Sequence, residues 1–197
     1  MKYLVSGLVV MLMCVTAQGQ TNGDFETGDL TGWGVTGDLV TPSVSAPSGA
    51  GNASDNAADL PSGWTDSVWN TTGGVWQELP ETYVLGVNYT LSIDVVHTDS
   101  STGVGNLGFQ MGISSEIPGT YPQLNDAEAV SDSKVWETKS RSIVANGTMA
   151  GQNIVIRVFN VGHRNLQVDN INVTPEPATM SMLGLGALAL LRRRRKA

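Results

Sequence analysis

The residues of this sequence that could most clearly bind a ligand or take part in a reaction are carboxylates. The segment LQVDNINV (residues 166–173) predicts a strand in which Asp169 shares one face with Ile171 and Val173. If these apolar residues point into the core, an unbroken strand turns Asp169 inward too. A buried carboxylate costs several kcal/mol unless it is paired, and no Lys or Arg lies beside Asp169 in the sequence. The alternative is a β-bulge near Asn170, which would turn Asp169 towards solvent.

A pair of carboxylates lies near the N-terminus, far from Asp169 in the sequence. Asp24 and Glu26 are two residues apart, so a first strand would place them on one face, opposite Phe25. Carboxylate and carbonyl oxygens are the ligands that Ca²⁺ takes in proteins. Whether this pair meets Asp169 depends on the fold.

The histidines indicate no catalytic site. His97 ends a strongly predicted strand and His163 lies in a predicted turn, so solvated side chains account for both. The chain contains no His-Glu-x-x-His, Gly-x-Ser-x-Gly or P-loop pattern. Glycosidases use two carboxylates across a cleft, but in so acidic a chain such a pair can always be imagined. We therefore expect no catalytic residue and no enzymatic activity, with a glycoside-active enzyme as the alternative.

The elements that must position these groups are β-strands. In NYTLSIDVV (residues 88–96) apolar and polar residues alternate, and NIVIRVFNV (residues 153–161) places three branched apolar residues on one face. Further strands are predicted in GVWQEL, NLGFQMGI and KVWETKSRSIV, whereas residues 43–58 predict a long loop. About eight or nine strands without a helical period predict an all-β sandwich or barrel.

Aromatic residues fall into two groups. Those within or beside predicted strands are expected in the core: Trp33, Trp76 and Trp136. Those in segments rich in turn-forming residues are candidate ligand-binding residues, because they could lie exposed at the rim of the domain: Trp64, Trp69 and Tyr121. Closure of the apolar layer beneath long loops is the alternative role for these three rings.

The first 19 residues have the pattern of a secretory signal peptide. Lys2 precedes an apolar stretch from Tyr3 to Val15, and Ala17-Gln18-Gly19 provides a small-x-small cleavage site. A lipoprotein is the alternative, but Met13 stands before Cys14 where a small residue is required. Removal of this segment leaves the mature chain without cysteine, so no disulfide can stabilise it.

The C-terminus carries Pro175-Glu176-Pro177, an apolar run from Ala178 to Leu191 and a basic cluster that includes Arg192, Arg193, Arg194 and Arg195. This order resembles a PEP-CTERM sorting signal. The resemblance implies export, transient membrane insertion of the tail and processing by an exosortase-type membrane protease. A permanent tail anchor is the alternative, although an apolar helix of this length spans only about 21 Å of a core that is about 30 Å thick.

The predicted mature region is strongly acidic. Of 11 basic residues six lie in the two ends, and of 18 acidic residues only Glu176 does, which leaves 5 against 17 and a net charge of −12. Nucleic acid is therefore excluded as a partner, because phosphate binding requires clustered Lys and Arg. The chain divides into a signal peptide (1–19), one β domain (20–173) and a sorting signal (174–197).

The β domain resembles the jelly-roll sandwiches of carbohydrate-binding modules, which belong to the galactose-binding-like group. NGDFETGDLTGW (residues 22–33), VWQELPETYVLGVNYTLSIDV (residues 75–95) and LQVDNINV carry the likeness. The resemblance implies that the first and last strands lie close together and hold a structural Ca²⁺. Glu26 and Asp169 match the ligand positions, with the backbone carbonyl of Asp24 beside them.

These features leave two functional classes open. The first is a secreted or surface protein that binds extracellular polysaccharide or matrix without catalysis. The second is a structural surface or matrix component with no small ligand. The sorting signal addresses the protein to its destination and does not distinguish them.

Overall fold

The alternating segments form two antiparallel sheets. The structure is a computed structural model that describes residues 20–36, 41–49, 52–62, 73–98, 105–113 and 127–176. Within these ranges it contains ten strands and no helix. The strands are β1 (Gly34–Thr36), β2 (Ser43–Ser45), β3 (Ala57–Leu60), β4 (Gly74–Thr82), β5 (Asn88–His97), β6 (Gly105–Ile113), β7 (Ala127–Val130), β8 (Glu137–Val144), β9 (Asn153–Asn160) and β10 (Leu166–Pro175).

The strands divide equally between the two sheets. Sheet A has the order β1-β4-β9-β6-β7, and sheet B has the order β2-β3-β10-β5-β8. Successive strands along the chain repeatedly change sheet, so the layers are tied together by crossovers. The predicted all-β jelly-roll sandwich is confirmed.

The core lies between the sheets and is built by the predicted alternation. In β5 the apolar set Tyr89, Leu91, Ile93 and Val95 is buried, and in β9 the set Ile154, Ile156 and Val158 is buried. At about 25 cal/mol per Å², this burial is the main favourable term in folding. The residues between them point away from the core, so each sheet also presents an outer face.

Three local expectations differ from the structure. Residues 21–28 form turns instead of a first strand. The predicted loop over residues 43–58 contains β2 and the start of β3. β10 continues to Pro175, two residues past the predicted end of the domain. Within the part of the chain that the structure describes, no helix is long and apolar enough to cross a membrane.

Candidate functional site

The turns at the start of the domain are held together by side-chain hydrogen bonds. Residues 21–28 form no strand. The Asn22 amide donates to the carbonyls of Asp29 (2.9 Å) and Thr31 (3.3 Å), and the Trp33 indole N–H donates to the Asn22 carbonyl at 2.9 Å. Phe25 is fully buried against Trp33, with ring centroids 5.6 Å apart. Phe25 therefore enters the core while its neighbours Asp24 and Glu26 stay exposed. The predicted placement of the two acids opposite Phe25 holds, but a turn produces it.

Glu26 is held in place by backbone groups of the segment before β3. Its Oε1 accepts the N–H of Asp55 at 2.9 Å and the N–H of Asn56 at 3.2 Å. Asp24 contributes only locally, since its Oδ1 accepts the Glu26 N–H at 3.4 Å. Glu26 is thus directed towards residues 52–56, and Asp24 is not.

Asp169 is fully buried, but it does not face the sandwich core. Asn170 has a φ of 47° and lies in a β-bulge, because Asp169 pairs with Asp94 while Asn172 pairs with Ser92. The extra residue reverses the alternation, so Asp169 lies on the outer face of sheet B. The prediction that an unbroken strand turns Asp169 into the core with Ile171 is therefore wrong.

The bulge does not expose Asp169 either, because residues 52–54 cover it. The Asn52 amide donates to Asp169 Oδ2 at 2.6 Å, and the Asn170 N–H donates to Oδ1 at 2.7 Å. Burial raises the pKa of the Asp169 carboxyl, and the nearby Glu26 charge raises it further, while the hydrogen bonds from Asn52, Ser54 and Asn170 lower it. The carboxylate is thus hydrogen-bonded, yet it lies beside another negative charge.

This pair forms only part of a metal site. The described residues contain no group of three or more His, Cys, Asp or Glu side chains that could hold a metal ion. Glu26 lies close enough to Asp169 for its charge to raise the pKa of Asp169, whereas the Asp24 side chain accepts the Glu26 N–H. The further ligands of a calcium ion would have to be carbonyl, amide or water oxygens, which Ca²⁺ accepts.

The part of the sheet B outer face around Gln167 is also covered by the chain. The Gln167 amide nitrogen donates to Ser45 Oγ (2.9 Å), the Ala46 carbonyl (3.1 Å) and Asp59 Oδ1 (2.9 Å), and its oxygen accepts the Ser48 N–H at 2.6 Å. Gln167 is only 1 % exposed. Residues 45–49 and 52–54 therefore form a polar cover over this part of β10.

An open groove remains beside this cover. Its volume is about 480 Å³, and it lies between the opening turns and strands β5 and β10. The lining residues are Gln20, Asn22, Gly23, Asp24, Ser92, Asp94, Asn170, Ile171 and Asn172. None of them is aromatic, so the groove offers hydrogen-bonding groups but no ring on which a sugar could stack.

The outer face of sheet A has a different character. Gly34 pairs with Trp76, Trp76 pairs with Arg157, and Arg157 pairs with Gln110 across four neighbouring strands. Directly opposed residues share a face, so these four residues form one line, which we call the Trp76 row. A Cβ on Gly34 would lie 2.3 Å from the Trp76 ring, so the ring rests on bare backbone.

The prediction that Trp76 belongs to the core is wrong. Its strand neighbours Val75 and Leu79 point into the core, and Trp76 points outward and is partly exposed. Trp136 also lies outside the core cluster, with its indole N–H donating to the Ser48 carbonyl at 2.7 Å. Of the three Trp residues expected in the core, only Trp33 is there.

His97 is buried, against the expectation of a solvated strand end. It is 1 % exposed, and its Nε2 lies 2.9 Å from the Val130 carbonyl oxygen. A Cβ on Gly105 would lie 1.9 Å from the imidazole, so this glycine leaves room for the ring. His97 is thus part of the packing between β5 and β6.

Gln77 was not predicted as a site residue, although it lies in a segment that carries the jelly-roll resemblance, and it holds the opening turns on sheet A. Its amide nitrogen donates to the carbonyls of Thr21 (2.8 Å) and Gly32 (2.9 Å). The candidate ligand-binding residues Trp64, Trp69 and Tyr121 lie outside the described residues, as do Pro177 and Arg192, Arg193, Arg194 and Arg195.

The sandwich has the fold of carbohydrate-binding modules. The CBM22-1 xylan-binding domain of Xyn10C from Paenibacillus barcinonensis superposes with a TM-score of 0.55 at 16 % identity, covering 81 % of this chain and 95 % of that domain. A cyclase from Fischerella sp. TAU matches with a TM-score of 0.58 at 18 % identity, covering 82 % of this chain and 98 % of that one. Such low identities show a shared fold and leave the ligand open.

The same fold also occurs as part of a larger protein. The enzymatically active domain of tailspike protein 4 from bacteriophage CBA120 matches with a TM-score of 0.55 at 9 % identity. The match covers 79 % of this chain and only 21 % of that one. Among curated proteins none matches this chain.

The C-terminal tail matches a known sorting motif. A family model of the PEP-CTERM protein-sorting motif matches residues 173–196. The resemblance of the C-terminus to this sorting signal is therefore confirmed. Pro175 lies in the last strand of the sandwich, and Glu176 directly follows it.

Proposed function

We propose that this protein is an exported, non-catalytic carbohydrate-binding protein whose binding surface is the Trp76 row. The sorting motif implies secretion or export to the cell surface. The observation that supports binding is the line of Trp76, Arg157 and Gln110 on the outer face of a sheet. An aromatic ring offers a flat apolar surface, and the neighbouring amide and guanidinium groups offer hydrogen bonds to hydroxyls.

Two features favour this face over the groove beside sheet B. The Trp76 ring is fixed on the Gly34 backbone, so little conformational freedom is lost when a ligand stacks on it. None of the residues that line the groove is aromatic, so the groove offers no ring for stacking. The fold is also shared with a module whose described ligand is xylan, which supports a polysaccharide as the ligand class. The ligand class that we propose is a neutral polysaccharide, since a domain of this negative charge repels acidic chains.

Binding is tested by isothermal titration of the protein against a panel of neutral and acidic polysaccharides. Trp76→Ala should weaken binding at least about tenfold, as expected when an aromatic anchor is removed. Trp136→Phe is the control, because Trp136 lies apart from the Trp76 row. The affinity of this variant for the polysaccharide should stay unchanged.

Other outcomes would assign the function differently. If Trp64→Ala or Trp69→Ala abolishes binding while Trp76→Ala does not, the loop aromatics and not the Trp76 row form the site. If no polysaccharide binds, the protein is a structural surface or matrix component. Turnover of any polysaccharide in the panel would contradict the non-catalytic role.

We propose in addition that Glu26 and Asp169 hold a structural Ca²⁺ ion together with backbone oxygens near Asp24. A buried Asp169 beside Glu26, with a raised pKa, is the arrangement that a cation would stabilise. No Lys or Arg is paired with either carboxylate in the described ion pairs. The role is structural, because the ion would join the opening turns to β10 and the cover.

The sorting motif also defines a proposed partner. An exosortase-type membrane protease would process the tail after its transient insertion in the membrane. The protein would then be released to the surface or to the extracellular matrix. The intact mass of the exported protein distinguishes a removed tail from a retained one.

A further inference from the structure

The sorting motif begins inside the folded domain. Val173 is 5 % exposed and belongs to the core, and Thr174 and Pro175 pair with Thr90 and Tyr89 of β5. The Glu176 N–H then donates to the Asn88 carbonyl at 2.7 Å. The first four residues that the motif model matches, 173–176, are therefore paired with β5.

The opposite edge of the same strand is also occupied. The Ile171 N–H donates to the Gly23 carbonyl at 2.9 Å, and the Val173 N–H donates to Gln20 Oε1 at 3.1 Å. β3 pairs only with Leu166, Gln167 and Val168, so the opening segment replaces it along the end of β10. The segment that follows the predicted signal peptide thus lies directly beside the start of the sorting motif.

A protease binds its substrate as an extended segment through backbone N–H and C=O groups. In the folded protein residues 172–175 are paired with β5. The N–H groups of Ile171, Val173 and Glu176 already donate hydrogen bonds. Release of this strand end requires local unfolding, and Val173 would leave the core with it. Glu176 and Pro177 alone separate the strand from the apolar run that starts at Ala178, a reach of at most about 11 Å.

We propose that the folded domain shields residues 173–176 of the sorting motif, so that processing cuts the chain after Glu176. The mature protein then keeps the whole of β10 and the Glu176 residue that follows it. In this step the peptide bond breaks, its carbonyl carbon takes a water hydroxyl or an amine, and the new N-terminus of the tail takes a proton. Docking of residues 20–23 makes the shield depend on folding of the whole domain. This inference rests on the proposed processing of the sorting motif and not on the proposed carbohydrate binding.

The first test is the intact mass of the exported protein from a host that contains the sorting protease, with its C-terminal peptide sequenced. The expected peptide contains Val173, Thr174, Pro175 and Glu176. A mature chain that ends before Glu176, or one that keeps the whole tail, would overturn the proposal. Neither result depends on whether a polysaccharide binds to the Trp76 row.

The second test uses the purified full chain in detergent. A Cβ on Gly23 would lie 2.4 Å from the Ile171 carbonyl oxygen, so Gly23→Ala should displace residues 20–23 from β10. Cleavage within residues 171–176 by a broad-specificity protease should become at least about tenfold faster. Gly147→Ala is the matched control, since nothing lies within 4 Å of its added Cβ.

Hydrogen exchange of the wild-type chain keeps the test valid if Gly23→Ala does not fold. The amides of Ile171, Val173 and Glu176 should exchange far more slowly than in the unfolded chain. Exchange of all three at the rate of the unfolded chain would contradict the shield.

Discussion

The two outer faces of this sandwich both carry polar side chains but differ in what covers them. On sheet B, Gln167 and Asp169 lie beneath residues 45–49 and 52–54 and bond to them. On sheet A, Trp76, Arg157 and Gln110 form a row on which Trp76 is partly exposed. One face uses its polar groups to hold the chain, and the other presents them outward.

The difference explains where a cation and a ligand would each be expected. A covered face can bury a carboxylate, and a buried carboxylate requires a partner of positive charge or several donors. A face that stays open does not bury charged groups, and its hydrogen-bonding groups can bond to a ligand. We therefore place the structural site on sheet B and the recognition site on sheet A.

The largest expected effect is a loss of folding stability when a side chain of the covered face is truncated, which the open face should not show. Gln167→Ala removes four hydrogen bonds and leaves buried groups of the cover unpaired, so unfolding should become easier by about 3 kcal/mol. For a domain of this size the melting temperature should fall by roughly 6 to 12 °C. Thermal unfolding followed by circular dichroism measures the change.

The matched control is Gln110→Ala on the open face. Its effect on the free energy of unfolding should stay within about 0.5 kcal/mol, as for surface substitutions generally. Equal losses in the two variants would show that the faces do not differ in the way proposed.

Much of the fold could be predicted from the sequence because the alternation in β5 and β9 is regular. Tyr89, Leu91, Ile93 and Val95 lie where period two places them. The same rule failed in β10, because a bulge at Asn170 adds one residue to the period. A bulge depends on contacts with neighbouring strands, so local sequence gives only a weak sign of it.

The candidate site was harder to predict for a related reason. In β4, Trp76 lies on one face of the strand, and Val75 and Gln77 lie on the other. The local sequence does not indicate which of these two faces packs in the core. Tertiary packing decides this, and Gln77 is buried because it binds the carbonyls of Thr21 and Gly32. A polar residue occupies the inner face here, whereas a large aromatic residue occupies the outer one.

The second prediction concerns calcium and the covered face. At a concentration of 100 Kd, Ca²⁺ should stabilise the domain by about 2.7 kcal/mol, which raises the melting temperature by roughly 5 to 11 °C. A chelator should reverse the rise, and Asp169→Asn should abolish most of it. Identical melting curves with and without Ca²⁺ in the wild type would remove the support for the ion, and a full response in Asp169→Asn would place it elsewhere.

The smallest expected effect is a pH dependence of the covered face without calcium. The pKa of Asp169 in the folded protein is raised above 3.8, chiefly by burial and also by Glu26, so the folded state binds this proton more tightly than the unfolded state. The stability that protonation contributes is complete below the unfolded pKa and is lost as the pH rises through the folded pKa.

With a chelator present, the melting temperature of the wild type relative to Asp169→Asn should therefore rise as the pH falls from 7 to below 3.8. Most other carboxylates titrate in both proteins and cancel in this difference. The effect is small because the hydrogen bonds from Asn52 and Asn170 oppose it, and a difference that falls with decreasing pH would show that these bonds outweigh the burial of Asp169.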